Sequence, residues 1–281
     1  MIIWLASYPK SGNTWVRAII SSLIFSKDGD FNFNLIKNIK QFPVSEQFKQ
    51  FTNKFESFEE IKKYWILAQE TLNLDNQIKF LKTHHLNCKI GNFSFTNKNN
   101  TLATIYIVRD PRNLVNSFSN HFSFTTEESK NFILSPGVLS GKRGSISLNK
   151  NFLPVVIGTW SEHYRFWKNK NSDYLLIKYE DLVEQPEFQL ERIIKFLKNY
   201  IPIKTDNKKN KKILETTSFE NLKDLEEKGT FEENAFQSSN IKKTFFNLGP
   251  KNNWKEVLDK KIKEEIEIEL SNEMEELGYL K

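Results

Sequence analysis

"WLASYPKSGNTWVRAII", residues 4–20, has the outline of a buried strand, a polar turn and an amphipathic helix. Backbone N–H groups at such a turn point at whatever lies above the helix N-terminus, and the helix dipole adds partial positive charge there. Gly12 lets the backbone approach an anion closely, and Lys10 adds a full positive charge at the edge of the turn. The stretch therefore predicts an anion-binding loop, although the G-x-x-x-x-G-K-[ST] spacing of an ordinary nucleotide loop is missing.

Side chains around this turn offer further groups to a nucleotide. Ser11, Asn13 and Thr14 carry hydroxyl and amide donors. Trp15 opens the helix, and the face of its ring could hold a base. The alternative is a tight turn with Trp15 packed in the core.

The rest of the chain predicts an α/β domain. Short apolar runs typical of buried parallel strands occur at Ile2–Ser7, Ile78–His84, Leu102–Arg109 and Tyr174–Tyr179. Helical patterns occur at Trp15–Phe25, Phe58–Leu72, Pro111–Phe122 and Val155–Lys168. We expect a single domain over residues 1–281, with a central parallel sheet flanked by helices and a P-loop-like turn after the first strand. Ligands should bind beyond the carboxyl ends of the strands.

Residues 123–153 show no clear period and are rich in Ser, Gly and Lys. The sequence predicts a long surface loop there, which is typical of a lid or binding loop or of a disordered segment. We expect it to cover an acceptor, through Phe124, Phe132, Lys142 and Arg143.

Two other segments are strongly charged. Residues 204–212, KTDNKKNKK, predict a solvated basic turn. The amphipathic pattern Trp254–Leu277, within residues 254–281, predicts a surface helix.

Composition narrows the partners and the compartment. The 41 Lys and Arg exceed the 35 Asp and Glu by six, which suits an anionic ligand but is too small a surplus to indicate nucleic acid. The single cysteine, Cys88, excludes an internal disulfide and suits a reducing compartment. Lys10 and Arg17 interrupt the first apolar run, so we expect a cytoplasmic protein without a membrane span.

Residues 8–15 read Y-P-K-S-G-x-T-W, which resembles the 5′-phosphosulfate loop of the PAPS-dependent sulfotransferases, where PAPS is 3′-phosphoadenosine 5′-phosphosulfate. These enzymes transfer the sulfuryl group to an alcohol, phenol or amine and leave adenosine 3′,5′-bisphosphate. The resemblance extends to about residue 257. Because the sequence shows no membrane anchor, we expect a small-molecule or soluble acceptor and no membrane partner. The sequence shows no metal-binding cluster and no concentrated basic–aromatic surface, so we expect neither a metal nor nucleic acid. The resemblance implies that the cofactor contacts Lys10, Ser11, Gly12, Asn13, Thr14 and Trp15.

The second motif is TIYIVRDPRNLVNSFSNHF, residues 104–122. Arg109 lies at a strand end, and Ser117 follows about two helical turns later. An arginine fork and a hydroxyl form a good receptor for a terminal phosphate. The resemblance implies that Arg109 and Ser117 bind the 3′-phosphate, whereas the structural alternative pairs Arg109 with an acid.

The third motif is FLKTHHLN, residues 80–87, where a histidine at a strand end can act as general base. The family has a Lys-x-His element here. By resemblance, His84 is the base, Lys82 assists the sulfuryl oxygens, and Lys10 stabilises the bridging oxygen. Because adjacent residues on a strand face opposite ways, only one of His84 and His85 should reach the acceptor.

The adenosine end is marked by two strings that resemble family segments. LLIKYEDLVEQP, residues 175–186, nominates Tyr179. ETTSFENL, residues 215–222, nominates Thr217, Ser218 and Phe219.

The family's closing motif for the 3′-phosphate, R-K-G-x-x-G-D-W-K, is altered in FFNLGPKNNWKEV, residues 245–257. When the two are aligned on Trp254, Gly249 is kept, but Asn247 and Leu248 stand in place of the Arg and Lys. Compensating charge would have to come from Lys251, Lys242 or Lys243.

Two other functions compete with this one. A P-loop kinase for a small molecule or nucleoside would need Mg²⁺ and a Lys next to the Ser/Thr at the end of its loop, and Lys10 is misplaced for that. A non-catalytic adenosine bisphosphate-binding protein is the second, and the presence of both Lys10 and His84 counts against it.

Overall fold

The computed structural model describes residues 1–139, 153–168, 172–231 and 244–280. In these ranges the strands are β1 Ile2–Ser7, β2 Lys40–Gln41, β3 Lys79–Thr83, β4 Lys89–Ile90, β5 Phe93–Ser94, β6 Thr101–Val108, β7 Gly137–Leu139, β8 Val155–Gly158 and β9 Asp173–Lys178. The helices are α1 Asn13–Phe25, α2 Phe33–Ile36, α3 Phe58–Ile61, α4 Trp65–Asn73, α5 Pro111–Phe122, α6 Thr126–Leu134, α7 Trp160–Trp167, α8 Tyr179–Glu184, α9 Pro186–Leu197, α10 Asn207–Thr216, α11 Phe219–Glu227, α12 Trp254–Val257, α13 Lys260–Glu269 and α14 Ser271–Glu276.

The central sheet has five strands in the order β2-β3-β1-β6-β9, and every neighbouring pair is parallel. This confirms the predicted α/β class and the four predicted strands. Because the strands are parallel, their carboxyl ends share one edge, where the turns that follow β1, β3, β6 and β9 meet.

Both faces of the sheet are buried under helices. Along β1, Ile2, Trp4 and Ala6 belong to one apolar cluster, and Ile3 and Leu5 belong to another. This alternation follows from the two-residue period of a strand, and it explains why the strand reads as a continuous apolar run. No helix in the described part of the chain is long and apolar enough to cross a membrane.

The predicted loop at 123–153 is wrong for its described part. Helix α6 begins at a capping box in which the Thr125 side chain accepts from the Glu128 N–H and the Glu128 side chain accepts in return. Strand β7 then pairs antiparallel with β8. The predicted helix from Val155 therefore starts only at Trp160, because Gly158 has a φ of +64° and Thr159 caps α7. Lys142 and Arg143 lie outside the described residues.

One more expectation from a charge pattern is wrong, and another is wrong in part. The basic segment at 204–212 enters helix α10, capped by Asp206 and anchored by the buried Ile213. The predicted helix Trp254–Leu277 is divided into α12, α13 and α14. Its charged side is exposed, as predicted, and its apolar side packs on the core through Ile266 and Met274, which are completely buried.

Candidate functional site

A cavity of about 530 Å³ lies at the carboxyl ends of the central strands. Its walls come from the β1–α1 turn, the ends of β3 and β6, helix α5, Tyr179 and the segment after residue 244. The cavity brings together most of the residues that the sequence nominates: Lys10, Gly12, Asn13, Thr14, Trp15, Lys82, His84, Arg109, Ser117, Tyr179, Phe219 and Gly249.

Four nominated residues are not among those that line the cavity. Ser11 is buried behind the turn. The Thr217 hydroxyl donates to the Ile213 carbonyl within α10, and the Ser218 side chain caps α11. Lys251 is exposed. It is therefore poorly placed to replace the charges missing from the closing motif, and Lys242 and Lys243 lie outside the described residues.

The turn between β1 and α1 is tightly packed. Gly12 has a φ of +98°, and a Cβ atom on it would lie 2.7 Å from Cδ2 of Tyr179. Glycine alone suits both conditions at this position. Helix α1 begins at Asn13, and Gly12, Asn13 and Thr14 line the cavity, so the N-terminal end of the helix dipole faces the cavity.

Lys10 is held in an unusual environment. Its Nζ lies 3.8 Å from the centroid of the Phe245 ring. Burial, and then the charges of Arg109 and Lys82, lower the pKa of Lys10 from 10.5 to about 7. An anion bound beside Lys10 would relieve both effects, because it would stabilise the charged ammonium.

Arg109 joins the separate parts of the site. Its Nη1 donates to the Lys10 carbonyl and to the Ser117 Oγ, at 3.4 Å each, and its Nη2 donates to the Gly249 carbonyl at 3.2 Å. The guanidinium carbon lies 4.0 Å from the centroid of the Tyr179 ring. Among the described residues no carboxylate forms an ion pair with Arg109. The nearby carboxylates of Asp110 and Glu267 form ion pairs with Arg112 instead.

Two cations of the cavity, Lys10 and Arg109, thus lie against aromatic faces, and Arg109 also donates to neutral oxygens. Phe245 covers Lys10, and Tyr179 covers Arg109. Such contacts stabilise a cation without neutralising it. The positive charge therefore remains available to a ligand, and the arrangement favours an anionic one.

The structure separates the two adjacent histidines. His84 lines the cavity, and its Nδ1 lies 2.8 Å from the Ser7 carbonyl oxygen. A carbonyl only accepts, so Nδ1 carries the proton and Nε2 is the basic nitrogen. His85 is completely buried and stacked on Phe95, and burial lowers its pKa to about 3. Of the two histidines, only His84 therefore faces the cavity.

Sequence reasoning assigned no chemistry to His163, but this buried side chain supports His84. Its Nε2 donates to the His84 carbonyl at 3.2 Å, and its Nδ1 accepts from the Tyr106 hydroxyl at 2.9 Å. Burial lowers the pKa of His163 to about 3, which keeps the ring neutral. No sequence motif could indicate this contact, because 79 residues separate His163 from His84.

Two other contributors were missed in the sequence. The buried Glu226 carboxylate accepts from the backbone N–H groups of Phe245 and Phe246, at 2.6 and 2.8 Å. This carboxylate holds the segment that places Phe245 over Lys10. Asn252 is also buried at the cavity wall. Both residues act through contacts distant in sequence, which no local motif reveals.

The fold resembles that of solved sulfotransferase-like proteins. The mouse sulfotransferase SULT7A1 in complex with PAP superimposes with a TM-score of 0.59 and 21% identity, covering 97% of this chain and 83% of that one. Retinol dehydratase in complex with retinol and PAP gives a TM-score of 0.61 and 17% identity, covering 97% and 81%. At these identities the likeness concerns the fold.

Sequence comparison leads to the same group. Sulfotransferase 1 family member D1 of Mus musculus is 27% identical over 225 residues, which are 79% of this chain and 66% of the mouse protein, slightly less than two thirds of its length. Cytosolic sulfotransferase 13 of Arabidopsis thaliana is 24% identical over 271 residues, 94% of this chain and 74% of that protein. The model of the sulfotransferase domain family matches residues 2–278, and the chain therefore belongs to that family.

Proposed function

We propose that this protein is a PAPS-dependent sulfotransferase that moves a sulfuryl group to a hydroxyl or amine of a small-molecule or soluble acceptor. The observation that carries the proposal is the meeting of three groups in one cavity: the Lys10 turn, the Arg109–Ser117 pair and His84. Two anion-binding ends and a base are what a phosphosulfate donor with a second phosphate requires. The name of the Arabidopsis relative supports a cytosolic reaction.

The residues present fit this nucleotide. The Arg109 Nε is buried and has no hydrogen-bond partner within the described ranges. Buried donors are seldom left unsatisfied, and Arg109 lines the cavity, so a bound anion would complete its hydrogen bonding. Lys10 and the turn to Trp15 would hold the 5′-phosphosulfate, and Arg109 with Ser117 the 3′-phosphate. The adenosine end falls to Tyr179 and Phe219, which line the cavity, and Gly249 lies beside Arg109 at the 3′-phosphate end.

When bound, PAPS supplies the activated sulfuryl group. His84 Nε2 accepts the proton of the acceptor as its oxygen or nitrogen attacks, because the hydrogen bond of Nδ1 to Ser7 fixes that tautomer. Lys10 stabilises charge that develops on the bridging oxygen, and Lys82 assists the sulfuryl oxygens. Positioning and charge stabilisation then perform the catalysis, as in phosphoryl transfer.

The acceptor enters, in this proposal, beneath the segment 123–153. Phe122 and Val155, which flank this segment, both line the cavity. Phe132 lies near this wall, and its carbonyl accepts from the Tyr8 hydroxyl at 3.0 Å. These contacts support an acceptor-covering role for the segment within a single domain of residues 1–281.

The deciding experiment incubates the purified protein with labelled PAPS and a panel of alcohols, phenols and amines, and follows sulfated product and adenosine bisphosphate. Calorimetry with PAPS, adenosine 3′,5′-bisphosphate and ATP·Mg²⁺ accompanies it. Binding of the first two and product formation support the proposal. Preference for ATP·Mg²⁺ would favour a kinase, and bisphosphate binding without turnover on any acceptor would favour the non-catalytic alternative.

Nucleotide binding is expected to weaken as the pH rises above 7. The pKa of Lys10 in the free protein is about 7, so its charged fraction falls about tenfold for each further pH unit. A bound anion favours the charged form, so binding takes up a proton. Calorimetry of adenosine bisphosphate in buffers of different ionisation enthalpy should show affinity about tenfold or more lower at pH 9 than at pH 7.

The control for this pH dependence is Lys10→Arg, because a guanidinium stays charged throughout the range. This variant should bind equally at both pH values. A wild-type affinity that is constant between them would contradict the low pKa.

Gly12→Ala is expected to weaken nucleotide binding about tenfold or more and to lower stability by about 1–3 kcal/mol. The new methyl group would meet Tyr179 at 2.7 Å and would take a φ of +98°. Gly91→Ala is the matched control, since Gly91 also has a positive φ but no neighbour within 4 Å. If both variants bind the nucleotide equally well, the close approach to Tyr179 is unimportant.

A further inference from the structure

Asn252 is a buried amide that connects the segment after Gly249 to helix α5. Its Nδ2 donates to the Asn113 carbonyl at 2.7 Å and to the Ser117 Oγ at 3.2 Å. Its Oδ1 accepts from the Asn116 Nδ2 at 3.1 Å. Since the Asn113 carbonyl can only accept, the amide orientation is determined, and both of its N–H groups are used.

These contacts constrain the hydroxyl of Ser117. Its oxygen accepts from the Arg109 Nη1 at 3.4 Å and from the Asn252 Nδ2 at 3.2 Å. A hydroxyl oxygen has two acceptor lone pairs and one donor hydrogen. Because neither neighbouring nitrogen can accept, the Ser117 hydrogen must point away from both of them.

Asn252 also removes the usual alternative acceptor. A serine inside a helix often donates to the carbonyl four residues earlier, which for Ser117 is that of Asn113. That carbonyl already accepts from the helix backbone and from the Asn252 Nδ2. Ser117 lines the cavity, so its hydrogen is left to donate to a ligand there.

We propose that Asn252 is a positioning residue that directs the Ser117 hydroxyl toward the 3′-phosphate of the nucleotide, an inference that rests on the proposed function. Asn252 stands where the closing motif has its second Gly, in the segment that lacks the motif's Arg and Lys. The contact that Arg109 and Ser117 make with the 3′-phosphate therefore gains importance, and Asn252 orients the hydroxyl in it. A neutral donor aimed at a phosphate forms a charge-assisted hydrogen bond, which is stronger than a neutral one.

The test measures the Kd values of adenosine 5′-monophosphate and adenosine 3′,5′-bisphosphate by calorimetry. The Kd of the monophosphate divided by the Kd of the bisphosphate isolates the contribution of the 3′-phosphate to binding. Ser117→Ala should lower this ratio about tenfold or more, because it removes a hydrogen bond to a charged group. Asn252→Ala should lower the ratio about threefold to tenfold. The double variant should resemble Ser117→Ala alone, because Asn252 acts through Ser117.

An unchanged ratio in Asn252→Ala, or an effect that persists in full in the Ser117→Ala background, would overturn the inference. Asn253→Ala is the control: this neighbouring residue caps α12 and does not line the cavity, so the ratio should stay at the wild-type value. If Asn252→Ala fails to fold, Asn116→Ala, which removes one of the three hydrogen bonds that hold the Asn252 amide, should lower the ratio by a smaller factor.

The outcomes also separate this inference from the proposed function. Wild-type protein that binds neither nucleotide would defeat the proposed function itself. Wild-type protein that prefers the bisphosphate, with the preference intact in Asn252→Ala and Asn116→Ala, would defeat the role of Asn252 alone.

Discussion

Lys10→Ala is expected to lower kcat about 100- to 1000-fold, the usual loss when a preorganised donor to developing charge is removed. It should also weaken binding of adenosine bisphosphate about tenfold or more, because a hydrogen bond from a charged group is lost. Lys10 is both the cation at the turn and the group proposed to stabilise the leaving oxygen. Initial rates with PAPS and calorimetry with the bisphosphate would measure the two losses separately.

The variant should remain folded, which makes the result interpretable. Burial and the neighbouring cations Arg109 and Lys82 lower the pKa of Lys10, so the charged ammonium destabilises the folded protein when no ligand is bound. The unfolding temperature of Lys10→Ala should therefore not fall. Lys27→Ala, which removes an exposed lysine, should leave rate and affinity unchanged. Equal turnover in Lys10→Ala and wild type would remove Lys10 from the mechanism.

The sheet and the position of the β1–α1 turn at the cavity were predictable because their signals are local. Strand β1 is a continuous apolar run, and Lys10 to Thr14 are adjacent in the chain. The same holds for Arg109 and Ser117, which are eight residues apart in the chain, the first just before helix α5 and the second within it. The alternation of side chains along a strand also predicted that only one of His84 and His85 faces the cavity.

The secondary-structure predictions failed for segments whose conformation depends on a partner far away in the sequence. Val155–Gly158 is short and apolar, which suits either a helix or a strand, and pairing with Gly137–Leu139 makes it a strand. The C-terminal amphipathic pattern reads as one helix, whereas the chain forms α12, α13 and α14. Asn252 gave no signal, since its partners lie 135 to 139 residues away on α5.

The site residues that the sequence did not reveal also depend on tertiary contacts. Glu226 and His163 position Phe245 and the His84 main chain without being in any motif. Their roles depend on burial, which forces a polar group to find a partner wherever the fold supplies one. A motif identifies groups that touch a ligand, whereas the groups that orient them follow only from the tertiary structure.

His84→Ala is expected to reduce transfer about 100- to 10,000-fold, the usual contribution of a general base. The Kd of adenosine bisphosphate should change less than about threefold, because the nucleotide contacts are made by other residues. The loss should appear equally in kcat and kcat/KM, since proton acceptance occurs only in the transition state. Steady-state rates and calorimetry on the same preparation would measure both.

Two controls identify the lost group as a base rather than a packing element. His84→Asn offers an amide to the Ser7 carbonyl, which the wild-type Nδ1 contacts at 2.8 Å, but it cannot accept the acceptor's proton, so it should be as inactive as His84→Ala. Imidazole added to His84→Ala should restore part of the rate, because the shortened side chain leaves room for a diffusible base, whereas His84→Asn should respond less. Full activity in either variant would assign proton removal to a group other than His84. That group would not be His85, because this side chain is buried and stacked on Phe95 away from the cavity.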